Sequence, residues 1–253
     1  MAERPGDGSV PASVHIRPTL RTERRLLRET GEPLLVGMDE VGRGALGGPV
    51  TVGAVLIGPG TGSAPVGLRD SKLLTPAARV RLAPRLRRWP IAWAVGHASA
   101  AEIDTVGIIG ALRLAGRRAL AQLPATPLLV LLDGNHDWLT RPRQEVLPWP
   151  DVPACPPVPE RLRVVTRIKA DAHCASVAAA SVLAKTARDA IMGDLAVGFP
   201  DYGWEENKGY ASPGHLQALT RIGPCVQHRR TWHVQAYGDM AHAVSAAGDG
   251  PDA

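Results

Sequence analysis

The 253-residue chain is long enough for one large domain or for a core with an appendage, and its 45% of hydrophobic residues can fill a sizeable core. Its cysteines, Cys155, Cys174 and Cys225, are odd in number and far apart, which argues against a disulfide framework and a zinc site. No apolar leader segment and no run of about 18 apolar residues occurs, so we expect a soluble cytoplasmic protein without membrane contact.

The net charge of +5 and two bunches of arginines, at 17–28 and 79–88, favour an acidic partner such as a phosphate backbone. Solvated helix faces would give the same bunching. Only four of the 29 basic residues are lysines: Lys72, Lys169, Lys185 and Lys208. A chain that otherwise uses arginine suggests, by keeping these lysines, sites that need a compact ammonium group.

Residues 1–32 are polar and basic, and we predict that they form an accessory arm with a short helix over Leu20–Leu27. Hydrophobic periodicity and turn signals divide the rest of the chain into strands and helices typical of an α/β fold. The predicted elements in chain order are a hairpin of strands at Leu34–Met38 and Val50–Ile57, a helix from Pro76 towards Trp89, a strand at Ile91–His97, a helix at Ile108–Leu123, strands at Pro127–Leu132 and Leu162–Ile168, a helix from about Ala172 to Ala196 and a helix near His215–Ile222.

Acidic residues stand where predicted strands end. Asp39-Glu40 follows the first strand, Asp133 ends the fourth, and Asp171 follows the fifth at the start of the long helix. Ligand sites in α/β sheets lie beyond the carboxyl ends of strands, so these acids can converge if their strands are neighbours. Carboxylates within ~4 Å of one another would not all stay ionised near neutral pH without a cation. All-oxygen ligation favours Mg²⁺ or Mn²⁺.

Each acid has a simpler interpretation when taken alone. Acidic residues often cap turns and helices, and Asp133-Gly134-Asn135 could be a plain turn. Asp137 competes with Asp133 as a metal ligand, although Asp133 is the residue that directly ends the strand. Whether Asp137 contributes stays open at this point.

A long glycine-rich segment carries a family resemblance. Gly37-Met38-Asp39-Glu40-Val41-Gly42-Arg43-Gly44, followed by Gly48-Pro49-Val50, resembles the signature of bacterial ribonuclease HII, a type 2 ribonuclease H. Further matching segments follow in the same order: Asp70-Ser71-Lys72, Asp133-Gly134, Lys169-Ala170-Asp171-Ala172, 176–185 with Arg188-Asp189, Tyr202-Gly203-Trp204, Asn207-Lys208-Gly209-Tyr210 and His228-Arg229-Arg230. Departures at Leu73, Ala170, Ala211 and Trp232 remove no carboxylate. The resemblance covers about residues 34–234.

The resemblance implies a ribonuclease-H-like α/β fold, in which helices flank a mixed five-stranded sheet and the C-terminal part is helical. We therefore expect a basic arm at 1–32, a catalytic core at 33–198, a substrate-binding part at 199–238 and a disordered tail at 239–253. A monomer is expected.

The resemblance also implies an activity. Asp39, Glu40, Asp133 and Asp171 would hold two divalent ions, Mg²⁺ or Mn²⁺. The enzyme would hydrolyse the RNA strand of an RNA–DNA hybrid, or cut on the 5′ side of a single ribonucleotide in duplex DNA, leaving a 3′-hydroxyl and a 5′-phosphate. Removal of primer RNA and of ribonucleotides during DNA replication and repair would be its role.

The expected nucleic-acid contacts are the loop Gly42-Arg43-Gly44, which would sense the 2′-hydroxyl, and Tyr210, which would stack at the junction from ribonucleotide to deoxyribonucleotide. Ser71 and Lys72 would contact phosphate, and Lys185 would do so from the long helix, one turn after Ser181. Another nuclease of the same superfold, such as a junction resolvase or DNA exonuclease, and a duplex-binding protein without catalysis remain the alternatives.

Overall fold

The computed structural model describes residues 17–140 and 154–231, and a five-stranded sheet forms its centre. The strands are β1 (Leu35–Val41), β2 (Val50–Ile57), β3 (Ala92–Ala98), β4 (Leu129–Asp133) and β5 (Arg163–Arg167). Their order is β3-β2-β1-β4-β5, antiparallel from β3 to β1 and parallel from β1 to β5. The predicted α/β fold with a mixed five-stranded sheet is confirmed.

Helices cover both faces of the sheet and form the C-terminal part. They are α1 (Arg21–Thr30), α2 (Pro76–Arg88), α3 (Ala100–Ala121), α4 (Ala170–His173), α5 (Ala175–Gly198), α6 (Trp204–Asn207) and α7 (Pro213–Ile222), with 3-10 turns at Ser71–Leu73 and Pro200–Tyr202. Within the described ranges, no helix combines the length and the apolar character needed to span a membrane.

Alternating side chains of the strands build two apolar layers. On β1, Leu35 packs with α1, α2 and α5, whereas Val36 and Met38 pack against α3. Helix α5 lies very close to the sheet, because a Cβ atom at Gly53 would stand 2.3 Å from the carbonyl oxygen of Ala180. The glycine therefore permits a close approach that any side chain would prevent.

Helix α1 belongs to the core, in contrast to the accessory arm predicted for residues 1–32. Leu26 and Leu27 are buried against α5 and the sheet. The carboxylate of Glu23 is also buried, and its Oε1 atom accepts hydrogen bonds of 2.9 Å from the backbone N–H and the hydroxyl of Ser176. Residues 17–31 are thus an integral layer of the fold, while 1–16 lie outside the described residues.

Two helices differ from their predicted bounds. Helix α3 begins at Ala100 rather than Ile108, because Ser99 and Glu102 form a capping box that starts it, and it bends at Gly107, whose φ is 69°. The predicted helix over 172–196 is interrupted at Cys174, which forms a parallel bridge with Thr19 and separates α4 from α5.

The C-terminal part packs through its own apolar cluster and is tied to the glycine-rich loop. Leu46 of that loop is buried with Trp204 and Leu219. Backbone hydrogen bonds join Gly48 to Gln227 at 2.8 Å and Arg229 to Leu46 at 2.9 Å. The end of the predicted substrate-binding part, residues 232–238, and the predicted tail at 239–253 lie outside the described residues.

Candidate active site

The parallel pairing of β1 with β4 brings two of the predicted acids side by side. Met38 lies opposite Leu132, so the next residues, Asp39 and Asp133, are neighbours where the pairing of β1 with β4 ends. On the other side of β4, Asp133 lies opposite Arg167 of β5. Because neighbouring strands are ~4.8 Å apart, these residues form a lateral row across three strands at the carboxyl edge of the sheet.

The side chains of this row lie on the face that α5 covers. Leu35 of β1 and Leu131 of β4 pack in the α5 layer. Side chains of a strand alternate, so Asp39 and Asp133, at an even number of residues from them, point to the same face. Topology and alternation together place both carboxylates at one site.

Asp39 is buried among negative charges. Its side chain is 6% exposed, and its Oδ1 atom accepts a 2.8 Å hydrogen bond from the backbone N–H of Glu40. Burial raises the pKa of Asp39 well above its ordinary value, and the charges of Glu40, Asp133 and Asp171 raise it further. A hydrogen bond with the hydroxyl of Ser181 acts in the opposite direction.

Glu40 and Asp171 each lie beside a positively charged side chain. Burial raises the pKa of Glu40, while Arg43, whose Nη1 lies 3.6 Å from Oε1, opposes that shift. Burial, followed by the charge of Asp133, raises the pKa of Asp171, and Lys72, whose Nζ lies 3.7 Å from Oδ2, opposes it. Each cation compensates part of a negative charge that burial and repulsion make costly.

The turn before α4 orients Asp133. The backbone N–H of Ala170 donates a 2.7 Å hydrogen bond to Oδ1 of Asp133. The preceding residue, Lys169, has left-handed backbone with φ 57°, as does Lys208 with φ 52° in the C-terminal part. Such a conformation costs a non-glycine residue ~1–2 kcal/mol and is characteristic of functional sites.

The chemistry of this donor set fits a hard divalent cation. The charges of Glu40, Asp133 and Asp171 raise the pKa of Asp39, and Asp133 also raises the pKa of Glu40 and of Asp171. The four predicted acids are therefore close together, and every donor they offer is a carboxylate oxygen. Over the described residues, no three histidine, cysteine or acidic side chains form a ready-made coordination shell. Mutual repulsion favours orientations in which Glu40 turns to Arg43 and Asp171 to Lys72.

Two buried arginines stabilise the loop after β1 by donating hydrogen bonds to its backbone. Arg229 donates to the carbonyl oxygens of Gly42 at 2.6 Å and Arg43 at 2.9 Å. Arg188 donates to the carbonyl oxygen of Pro49 at 2.8 Å. Both arginines stand inside the matching sequence segments, but the sequence assigned them no role, since burial of an arginine against a distant loop leaves no local signal.

The two glycines of Gly42-Arg43-Gly44 have different surroundings. Gly42 has φ 85°, and a Cβ atom there would lie 2.1 Å from Nε of Arg188. At Gly44 a Cβ atom would meet nothing within 4 Å. The fold therefore requires glycine at 42, whereas at 44 only a molecule approaching from outside would require it.

Tyr210 and Lys185, both predicted to contact nucleic acid, lie together. The ring of Tyr210, a residue 37% exposed, has Nζ of Lys185 5.7 Å from its centre and the guanidinium of Arg188 5.4 Å from it. Lys185 also forms a 2.7 Å ion pair with Asp189. A half-exposed aromatic ring backed by cations can stack against a ligand.

Two buried histidines support the backbone of Tyr210. Nδ1 of His228 accepts the 3.0 Å bond from the backbone N–H of Cys225, so its Nε2 carries the proton and faces Nε2 of His215 at 3.0 Å. Nδ1 of His215 then donates to the carbonyl oxygen of Tyr210 at 2.8 Å. Burial and the neighbouring His215 lower the pKa of His228 to about 4, so this row of hydrogen-bonded histidines is neutral at physiological pH.

The remaining predicted contacts separate into a buried and an exposed residue. The hydroxyl of Ser71 is buried and forms a 2.8 Å hydrogen bond with the hydroxyl of Ser181. The side chain of Lys72 is 81% exposed beside Asp171. Burial lowers the pKa of Lys72, but Asp171 and the other nearby carboxylates outweigh it and raise that pKa.

Asp137, which the sequence left as a competitor of Asp133, caps a turn. One of its oxygens accepts the backbone N–H groups of Leu139 at 2.9 Å and Thr140 at 3.1 Å, and the other accepts the hydroxyl of Thr140. Both oxygens are therefore engaged within its own turn.

A mixed sheet of this order, with an acid on each of two adjacent parallel strands, is a ribonuclease-H-like fold. Ribonuclease H2 from Pyrococcus horikoshii has the same fold, with a TM-score of 0.60 and 23% identity over 84% of this chain and 99% of that one. Bst ribonuclease HIII, solved in complex with Mn²⁺, gives a TM-score of 0.59 and 20% identity over 84% of this chain and 70% of that one.

Sequence comparison gives the family within this class. The model of the ribonuclease HII family matches residues 36–235. Ribonuclease HII from Streptomyces coelicolor is 47% identical over 215 residues, which cover 85% of this chain and 83% of that protein. The chain belongs to the ribonuclease HII family, so it is a ribonuclease H endonuclease, and the resemblance seen in the sequence is confirmed.

Proposed function

We propose that the protein hydrolyses the RNA strand of RNA–DNA hybrids and cuts on the 5′ side of single ribonucleotides in duplex DNA. The observation that carries this proposal is that Asp39 lies beside Asp133 and is followed, three residues later at the end of the same strand, by the loop Gly42-Arg43-Gly44. A reacting phosphate beside the acids would bring the adjoining ribose to the loop. The products are a 3′-hydroxyl and a 5′-phosphate.

Asp39, Glu40, Asp133 and Asp171 are proposed to hold two divalent ions, Mg²⁺ or Mn²⁺. The raised pKa values of Asp39, Glu40 and Asp171 support this proposal, since a cation would offset both the burial and the mutual repulsion that raise them. When bound, such ions neutralise charge on the scissile phosphate and lower the pKa of an attacking water. The Mn²⁺ complex of the related fold of Bst ribonuclease HIII is consistent with this choice.

The chain's own residues have separate proposed tasks. The hydrogen bond from Ala170 orients the carboxylate of Asp133. Lys72, exposed beside Asp171, is placed to exchange its carboxylate partner for a phosphate. Ser71 would act indirectly, because its buried hydroxyl is bonded to Ser181, which in turn contacts Asp39.

Recognition of ribose is assigned to the backbone of Gly42-Arg43-Gly44, which Arg229 holds in place. The side chain of Arg43 would hold a phosphate. Tyr210 would pack against the deoxyribose that follows the ribonucleotide, with Lys185 beside its ring. We further propose a monomer that works in the cytoplasm on ribonucleotide and primer removal during DNA replication and repair.

A cleavage assay on three labelled duplexes tests the proposal: an RNA–DNA hybrid, a DNA duplex with one ribonucleotide and an all-DNA duplex, each with and without Mg²⁺. We expect Mg²⁺-dependent cutting of the first two only. Efficient cutting of all-DNA duplex would favour a different nuclease activity, and binding without any cutting would favour a duplex-binding protein.

A further inference from the structure

A groove between α1 and β5, here called the α1–β5 groove, has an arginine-rich rim and an apolar floor. It has a volume of about 510 Å³. Arg21, Arg25 and Arg167 line it, together with the hydroxyl-bearing Thr22 and Thr166. Leu26, Leu131 and Val165 form its floor. The groove shares no residue with the four catalytic acids or with the ribose-sensing loop.

The groove adjoins the catalytic row. Arg167 lies opposite Asp133 in the pairing of β5 with β4, and β5 is the edge strand of the sheet. Val165 packs in the α5 layer, so Arg167, two residues later, points to the same face as Asp39 and Asp133. The row of acids therefore ends in an arginine one strand spacing, ~4.8 Å, beyond Asp133.

The groove lies on the opposite side of the acids from the ribose-sensing loop. Gly42-Arg43-Gly44 connects β1 to β2, whereas the strand order places β5 beyond β4. A duplex whose reacting phosphate lies between these two sides would extend over both of them.

The charges of the groove suit a phosphate backbone. Arg25 pairs with Glu29 at 3.8 Å, and both side chains are about 60% exposed, so water screens the pair strongly. Arg167 donates a 2.5 Å hydrogen bond to the hydroxyl of Thr22, a neutral partner that does not cancel its positive charge. The buried carboxylate of Glu23 accepts hydrogen bonds from Ser176 and interacts electrostatically with Arg167, so it offsets part of the charge of that arginine.

We propose that the α1–β5 groove binds the sugar–phosphate backbone of the substrate duplex beyond the cleavage site, with Arg21, Arg25 and Arg167 contacting phosphates. This inference rests on the proposed function for the identity of the duplex. It gives the row of side chains across the sheet two functional ends: acids at the reacting phosphate and an arginine at a phosphate further along the backbone.

The test compares two double variants that remove the same charge. Arg21→Gln/Arg25→Gln alters the groove, and Arg28→Gln/Arg88→Gln removes two exposed arginines that do not line it. Binding to a fluorescent RNA–DNA hybrid is measured in EDTA across a salt series. Substitutions are preferable to deletion of residues 1–32, which would strip Leu26 and Leu27 from the core.

For the groove variant we expect the slope of log K against log salt to become less steep by about 1.8, since each lost phosphate contact contributes about 0.9. Arg167→Gln should reduce it by about 0.9, and the control pair should leave it nearly unchanged. Melting temperatures should stay the same, because Arg21 and Arg25 are exposed. Equal slopes for the groove variant and the control pair would overturn the proposal.

Cleavage by the wild type, measured separately in Mg²⁺, distinguishes the two ways of failing. Hybrid cutting with an unchanged salt slope in the groove variants would reject the groove and keep the proposed function. Groove-dependent binding without any hybrid cutting would reject the function and keep the groove as a duplex-binding site.

Discussion

Asp133 accepts a 2.7 Å hydrogen bond from the backbone N–H of Ala170, the residue that directly precedes Asp171. One bond thus ties the end of β4 to the start of α4 and fixes the spacing of two acids that lie far apart in the sequence. The left-handed turn at Lys169 is what points that N–H group at the carboxylate.

The first prediction concerns the acids themselves. Asp39→Asn and Asp133→Asn should each lower hybrid cleavage by more than about 100-fold, because the amide keeps the volume and loses the charge that holds a cation. The melting temperature of Asp39→Asn should be equal to or above that of the wild type, since a neutral amide avoids the cost of burying a carboxylate among negative charges. Single-turnover cleavage and thermal unfolding check both statements.

The matched control is Asp137→Asn, in which the side chain retains an acceptor for its own turn. It should cleave at nearly the rate of the wild type. Substantial Mg²⁺-dependent turnover by Asp39→Asn or Asp133→Asn, or loss of activity in Asp137→Asn, would contradict the assignment of the ligands.

The two loop glycines separate folding from recognition. Gly42→Ala should destabilise the protein by ~1–3 kcal/mol, because its φ is positive and the new methyl group would collide with Arg188. Gly44→Ala should change the free energy of unfolding by less than about 1 kcal/mol and still reduce kcat/KM about tenfold or more, since its methyl group would stand where the ribose approaches.

Urea unfolding and steady-state cleavage of the hybrid measure the two effects in each variant. Wild-type activity in Gly44→Ala would mean that the ribose does not approach this part of the loop.

Tyr210 should matter more at a junction than within a continuous hybrid. Tyr210→Ala should reduce cutting at a single ribonucleotide by about ten- to a hundredfold, which corresponds to the ~1–3 kcal/mol expected for a stacking contact. The same substitution should reduce cutting of a long hybrid less. Tyr210→Phe keeps the ring and serves as the control. Equal losses on both substrates would show that Tyr210 serves general duplex docking or the fold.

The buried histidines make stability depend on pH. The unfolded chain binds a proton at His228 below its ordinary pKa of about 6.5, while the folded chain does so only near pH 4. Stability from this group is therefore complete above pH 6.5, falls as the pH falls, and is lost below about pH 4. The difference amounts to about 3 kcal/mol.

The raised pKa values of Asp39, Glu40 and Asp171 act in the opposite direction, so the test compares variants. Urea unfolding from pH 7 to pH 4 should show a shallower decline for His228→Gln than for the wild type, with exposed His136→Gln as the control. An NMR titration of the His228 imidazole in the wild type gives its pKa directly, and a value near 6.5 would contradict the prediction.

The sequence alone determined the five strands, the existence of the longer helices and the order of the motifs. Apolar or β-branched runs marked the strands, and the acids Asp39 and Asp133 were found because the first follows, and the second ends, a continuous apolar run. The glycines of the loop were found because they form a glycine-rich segment directly after the first strand. These features depend on neighbours in the chain, which periodicity and turn chemistry report.

The tertiary structure decided what depends on pairs distant in sequence. The strand order placed Asp39 beside Asp133, the bridge between Thr19 and Cys174 split the long helix and drew α1 into the core, and Arg229 reached back to the loop at Gly42. The bridge and the arginine bonds satisfy buried backbone groups with partners more than a hundred residues away, whereas the strand order brings two like charges together. Local sequence carries no record of such a partner, because the burial that makes the contact necessary arises only when the layers pack together.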